Sequence, residues 1–161
     1  MTDKIRCLYV DDQVSDPALW ARVQDLKEAE FELDTADKLE TAEKSLRTGG
    51  YDILILDIRI PPNKGGGIDD MPWQRTGTAL IKRIRKGLYT GKGQLGTPKD
   101  VPIIVITAVA NPAAQKDILE AGRGKEGLEF ELVLFEKPAD NGEVIQKIKE
   151  LAAEKKKTAS S

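Results

Sequence analysis

The stretch YDILILDIRIPP, Tyr51 to Pro62, decides the fold. From Ile53 to Leu56 it sets only Ile and Leu side by side, with no polar residue alternating among them. Such a run suits a strand covered on both faces, which is the condition of a parallel sheet. Asp57 then stops it. An ionised carboxylate is costly to bury unpaired, so the strand must leave the sheet at Asp57, and the acid must stand at an edge that a ligand can reach.

Four more runs have the same character: KIRCLYV (4–10), FELDTA (31–36), VPIIVIT (101–107) and ELVLFE (131–136). With 51–57 they make five strands. Between them the apolar period lengthens to that of helices. Leu19, Val23 and Leu26 mark one face, opened by Asp16 and Pro17; Leu39, Ala42 and Leu46 mark a second, with Asp37 and Glu40 at capping-box spacing. Leu80, Ile81, Ile84 and Leu88 mark a third. Asn111 and Pro112 open a fourth that closes at Gly122, and Asp140 opens a fifth through Val144, Ile148 and Leu151. The alternation predicts an α/β fold: a doubly wound five-stranded parallel sheet with helices on both faces.

Composition narrows the chemistry. The 161 residues suffice for one domain that buries about two-thirds of its unfolded surface. A net charge of -2 argues against direct nucleic-acid binding, and no apolar run is long enough for a membrane span. The single cysteine, Cys7, lies in an apolar run and forms no internal disulfide, which fits a cytoplasmic protein. The absence of histidine removes the usual neutral-pH base and the commonest zinc ligand.

In the flavodoxin-like order 2-1-3-4-5, the strand order reverses between strands one and three, and ligands bind beyond the strand ends at that point. Strand one ends in Asp11 and Asp12, strand three in Asp57. Three convergent carboxylates repel one another unless a cation balances them, and oxygen-only ligands suit Mg2+. Lys137, after strand five, would bring an ammonium to the same edge, and Thr107, ending strand four, a hydroxyl.

Asp11, Asp12, Asp57, Thr107 and Lys137, each at a strand end, resemble the signature of the two-component response-regulator receiver domain. The resemblance implies that Asp57 is the phosphoacceptor, that Thr107 and Lys137 grip the phosphoryl group, and that Mg2+ is held by Asp11, Asp12, Asp57 and the backbone carbonyl of Arg59. It also implies partners: a sensor histidine kinase or phosphotransfer protein as donor, a downstream protein target, and a homodimer through the face of the fourth helix, fifth strand and fifth helix. Chemistry would be confined to self-phosphorylation and dephosphorylation at Asp57, so the chain is not expected to be an enzyme. The reading assigns 1–154 to a stand-alone receiver and 155–161 to a disordered tail.

Two features depart from the pattern. The residue three before the lysine, usually aromatic in this family, is Leu134; Phe135 alternates to the opposite face. The loops 61–77 and 86–100 are enlarged. A degenerate receiver that binds partners without phosphorylation is therefore the competing reading. An aspartyl phosphatase is disfavoured, because its second acid would fall at Arg59.

Overall fold

The computed structural model describes residues 5–11, 21, 24–25, 27–28, 31–58, 73–90, 96–108, 111–124, 130–137 and 140–160, with backbone alone at 73–75, 141 and 155–160. Five strands, β1 (Arg6–Val10), β2 (Glu32–Ala36), β3 (Ile53–Leu56), β4 (Ile103–Thr107) and β5 (Leu132–Glu136), each fall inside an expected run. All pair in parallel in the order β2-β1-β3-β4-β5. The described helical residues of α1 are 21, 24, 25, 27 and 28, and its predicted apolar stripe at Leu19, Val23 and Leu26 lies outside the described residues. The remaining helices are α2 (Leu39–Thr48), α3 (Trp73–Arg85), α4 (Pro112–Arg123) and α5 (Asn141–Ser160).

Strand alternation divides the core into two layers. Leu8 and Val10, Leu54 and Leu56, Ile103 and Val105, and Leu132 point to one face, where α2, α3 and α4 cover them with Leu39, Leu46, Leu80, Ile81, Ile84 and Ile118. Cys7 and Tyr9, Ile53 and Ile55, and Ile104 and Ile106 point to the other, against Val144, Ile148 and Leu151 of α5. Both faces being covered is why β3 and β4 read as unbroken apolar runs. Burial of a leucine or isoleucine contributes roughly 1.5–3 kcal/mol each, so the two layers supply most of the driving force for folding.

Several local expectations are corrected. The N-cap of α2 is Lys38, with no side-chain cap. Asp37 therefore sits one residue too early, and no Asp37–Glu40 capping box can form. Helix α3 begins at Trp73, so residues 73–77 of the expected loop are helical, and it ends at Arg85, leaving Leu88 outside and 58% exposed. Gly122 does not close α4; it lies inside that helix against β5, and Gly124, at φ 90°, is the cap. By contrast, Asn111 caps α4 through bonds to the amides of Ala113 and Ala114, and the Asp140 carboxylate accepts from Glu143 N–H at 3.0 Å to open α5. Helix α5 runs on to Ser160 where a disordered tail was expected, and the Ala-, Glu- and Lys-rich run AAEKKK has the propensity to propagate it.

The second enlarged loop is partly built into the fold at the sheet edge where the strands begin. Its ends are described; residues 91–95 are not. Tyr89 is buried, Thr97 N–H donates to Leu46 O at 2.9 Å, and the Thr97 hydroxyl donates to Gly49 O at 2.9 Å, so the segment packs on the C-terminal end of α2. Arg85 anchors the same edge. Its guanidinium donates to the carbonyls of Gly122 (2.7 Å), Lys99 (2.7 Å), Val101 (2.7 Å) and Glu131 (3.0 Å), and stacks over Phe130. Buried Glu43 on α2 pairs with Arg47 at 3.1 Å and Arg83 at 3.3 Å, tying α2 to α3.

Candidate functional site

At the opposite edge, one backbone bond past each strand end fixes the residues the sequence singled out. Asp11 N–H donates to Ala36 O at 3.0 Å, Asp57 N–H to Val10 O at 2.8 Å, and Lys137 N–H to Thr107 O at 2.8 Å. Val10 and Leu56 are register partners, so Asp11 and Asp57 follow side by side. Asp11, Asp57 and Lys137 also come two residues after Tyr9, Ile55 and Phe135, all of the α5-side layer. Period-two alternation thus sends their side chains the same way.

The side chains meet. Lys137 Nζ lies 2.7 Å from Asp57 Oδ2 and 3.5 Å from Asp11 Oδ2. Asp11 and Asp57 are 1% and 5% exposed, so both acids are withdrawn from bulk water and screened little by salt. Burial alone lowers the Lys137 pKa, but the hydrogen bond it donates to Asp57 and the charges of Asp57 and Asp11 outweigh it, leaving the ammonium above its ordinary value. The lysine is therefore fully charged at neutral pH. Thr107 ends β4, fully buried, with its carbonyl held by Lys137. It shares the pleat parity of Ile103 and Val105, and so adjoins the trio through the backbone of Lys137 from the α4 side.

The donor set fits a hard divalent cation. Two buried carboxylates, already drawn to an ammonium, form a cluster whose formal negative charge exceeds its positive charge by one, and a chain without histidine offers oxygen ligands there. Among the described residues no cluster of three or more metal-ligating side chains is present. Asp12 and Arg59, both expected ligands, lie outside the described residues, as does the first enlarged loop up to residue 72.

On β5, half-buried Leu134 packs with the layer under α2, α3 and α4, while Phe135 belongs to the α5 side, as alternation predicts. Beside them Gln115 of α4 donates to Glu136 at 2.6 Å. Sequence reasoning missed Gly77, whose N–H donates to Ile58 O at 2.9 Å directly after Asp57. The sequence placed it at the end of the loop 61–77, one glycine among several, just before the third apolar period begins at Leu80.

No protein-family model matches the chain. A stretch of 93 residues, 57% of this chain, is 30% identical to Histidine kinase 1 of Arabidopsis thaliana, and covers 6% of that protein's length. Among solved structures, the chain is similar to a CheY-like response regulator receiver domain protein from Methanospirillum hungatei JF-1, with a TM-score of 0.69 and 21% identity over 96% of this chain and 99% of that one. The receiver domain of the Francisella response regulator 1452 gives a TM-score of 0.69 and 17% identity over 94% and 99%. The signal receiver domain of a Luxo repressor protein from Vibrio parahaemolyticus gives 0.69 and 16% over 99% and 98%. The fold of this chain is that of response regulator receiver domains.

Proposed function

We propose that this chain, on its receiver fold, accepts a phosphoryl group on Asp57 and signals by protein contact. The single observation that supports the reading is the approach of Lys137 Nζ to both Asp57 and Asp11: two carboxylates and an ammonium meet at one sheet edge, and in this reading Asp57 is the nucleophile and Lys137 the phosphate ligand. The similarity of strand order to receiver structures supports it.

In the proposed step an Asp57 carboxylate oxygen attacks phosphorus. The phosphorus–nitrogen bond of a donor phosphohistidine breaks, its electron pair returns to the imidazole, and an acyl phosphate forms on Asp57. With acetyl phosphate as donor, the bond from phosphorus to the acetate oxygen breaks instead. Lys137 exchanges part of its contact with Asp57 for a phosphoryl oxygen and holds charge as it develops; the Thr107 hydroxyl donates to another. Asp11, Asp12, Asp57 and the Arg59 carbonyl would hold Mg2+, which supplies charge neutralisation of the phosphoryl oxygens when bound. The carboxylates need only be ionised and in line, so binding and orientation account for most of the catalysis.

The donor in this reading is a sensor histidine kinase or phosphotransfer protein in the cytoplasm, and the output is a downstream protein target or a second copy engaged through α4, β5 and α5. The chain modifies itself rather than turning over a separate substrate. No helix among the described residues is long and apolar enough to cross a membrane. The competing reading, a binding module indifferent to phosphorylation, draws on Leu134, which packs in the core where the family's aromatic switch would stand.

Incubation with acetyl phosphate and MgCl2, followed by intact mass, tests the proposal. A phosphoryl mass increment that disappears in Asp57→Asn supports it. Absence of the increment, with no beryllofluoride-induced spectral change, sinks it in favour of the binding module.

A further inference from the structure

The acceptor is gripped on two sides by backbone. Asp57 N–H donates to Val10 O at 2.8 Å, and the next carbonyl, that of Ile58, accepts from Gly77 N–H at 2.9 Å. Gly77 belongs to α3, and the segment 59–72 runs between these two anchor points. The approach is close enough to exclude any side chain. A Cβ on Gly77 would lie 2.5 Å from Ile58 Cα, 2.7 Å from its oxygen and 3.0 Å from its carbonyl carbon. All three are backbone atoms, so no rotamer change relieves the overlap.

We infer that Gly77 is a positioning residue for Asp57: the contact of α3 with the Ile58 backbone sets where the acceptor carboxylate stands, whatever the length of the segment 59–72. Its functional consequence rests on the phosphoacceptor reading above; the contact itself does not. Ile58 is 1% exposed, wedged among the α2-to-α4 layer, and cannot yield outward without opening that layer. With a Cβ at position 77, restoring ordinary contact displaces α3 or the Asp57–Ile58 backbone by about 1 Å, and a misplacement of that size costs on the order of 100-fold in an in-line transfer. Helix propensity pulls the other way, since alanine strengthens a helix where it replaces glycine. The two effects therefore predict opposite outcomes for one substitution.

The experiment compares Gly77→Ala with Gly122→Ala. The control also places a Cβ against a neighbour, the Leu132 side chain, but at the sheet edge away from the carboxylates. Wild type should show a through-hydrogen-bond scalar coupling between Gly77 nitrogen and Ile58 carbonyl carbon. Its phosphorylation by acetyl phosphate and MgCl2, followed by intact mass, should fall on the order of 10- to 100-fold in Gly77→Ala. Folded Gly122→Ala should keep the wild-type rate. Amide exchange at Asp57 and Ile58 should accelerate in Gly77→Ala alone. No coupling in wild type, or an unchanged rate in Gly77→Ala, overturns the inference. If wild type takes up no phosphoryl group, the phosphoacceptor reading fails, and the coupling and exchange, measured without donor, still decide the positioning role. If Gly77→Ala does not fold, the wild-type protein decides: a coupling together with a slowly exchanging Gly77 amide supports the contact, and the absence of either overturns it.

Discussion

Replacing Arg85 with methionine keeps a long unbranched side chain but removes the guanidinium from four carbonyls. Two of these, Gly122 O and Val101 O, are part-buried acceptors at 2.7 Å; the other two, Lys99 O and Glu131 O, are exposed and can turn to water. A part-buried acceptor left without a donor costs about 1–3 kcal/mol, and the exposed pair little. Loss of stacking on Phe130, 4.8 Å from the guanidinium, adds roughly 0.5–1 kcal/mol. Against this stands the desolvation of the charge, visible as a guanidinium pKa lowered to about 10 by burial, which methionine escapes. The balance predicts a loss of about 2–4 kcal/mol, which at 2–4 °C per kcal/mol lowers Tm by roughly 5–15 °C. Urea unfolding followed by circular dichroism measures it. Arg85→Lys, one charge without the fork, should recover less than half of the loss. If Arg85→Met unfolds at the wild-type urea concentration, water replaces the guanidinium without cost and Arg85 joins nothing.

Lys137→Met leaves Asp11 and Asp57 facing each other without their cation, and should cost about 1–3 kcal/mol near neutral pH; adding Asp57→Asn should restore part of it, and additive losses in the double-mutant cycle would deny the coupling. Alkaline pH should unfold the protein early. Burial, with the nearby charge of Asp52, raises the Cys7 thiol to about 12, and burial with the Asp34 hydrogen bond raises the Tyr51 phenol to about 12. Lys137 is also raised, by its carboxylates against the pull of burial. A folded-state pKa above the unfolded value gives stability that is complete below the unfolded pKa and lost as pH rises through the folded one. The urea midpoint should therefore fall between pH 9 and 12, the interval spanned by the ordinary Cys7 value and the raised ones; a midpoint constant over that range contradicts it. Thr76 is fully buried on α3 with no hydrogen-bond partner for its hydroxyl among the described residues, so Thr76→Val should stabilise by about 1 kcal/mol in urea, and destabilisation would reveal a bond that forms in solution.

The five strands and their end residues were legible because each rests on near neighbours in sequence. Uninterrupted Ile, Leu and Val at 53–56 and 103–107 demand two covered faces, and a strand in that position must surrender its first acid or amine to the edge. The same alternation, carried two residues past Tyr9, Ile55 and Phe135, already contained the convergence of Asp11, Asp57 and Lys137. Local signals failed where two motifs competed for one boundary. Asp37 and Glu40 had the spacing of a capping box, but the helix begins a residue too late for it; Gly122 had the look of a stop, but its missing side chain serves the approach of α4 to Leu132.

Only the folded chain decided the rest. Arg85 meets Gly122, 37 residues on, and Glu131, 46 residues on; Glu43 meets Arg83 across 40; Gly77 meets Ile58 over the whole of an enlarged loop. A periodic pattern records which face of its own element a residue occupies. It carries nothing about which distant backbone will come within hydrogen-bonding or van der Waals range. That distance is set when the helices settle on the sheet, and it is there that one glycine and one arginine acquired their parts in this protein.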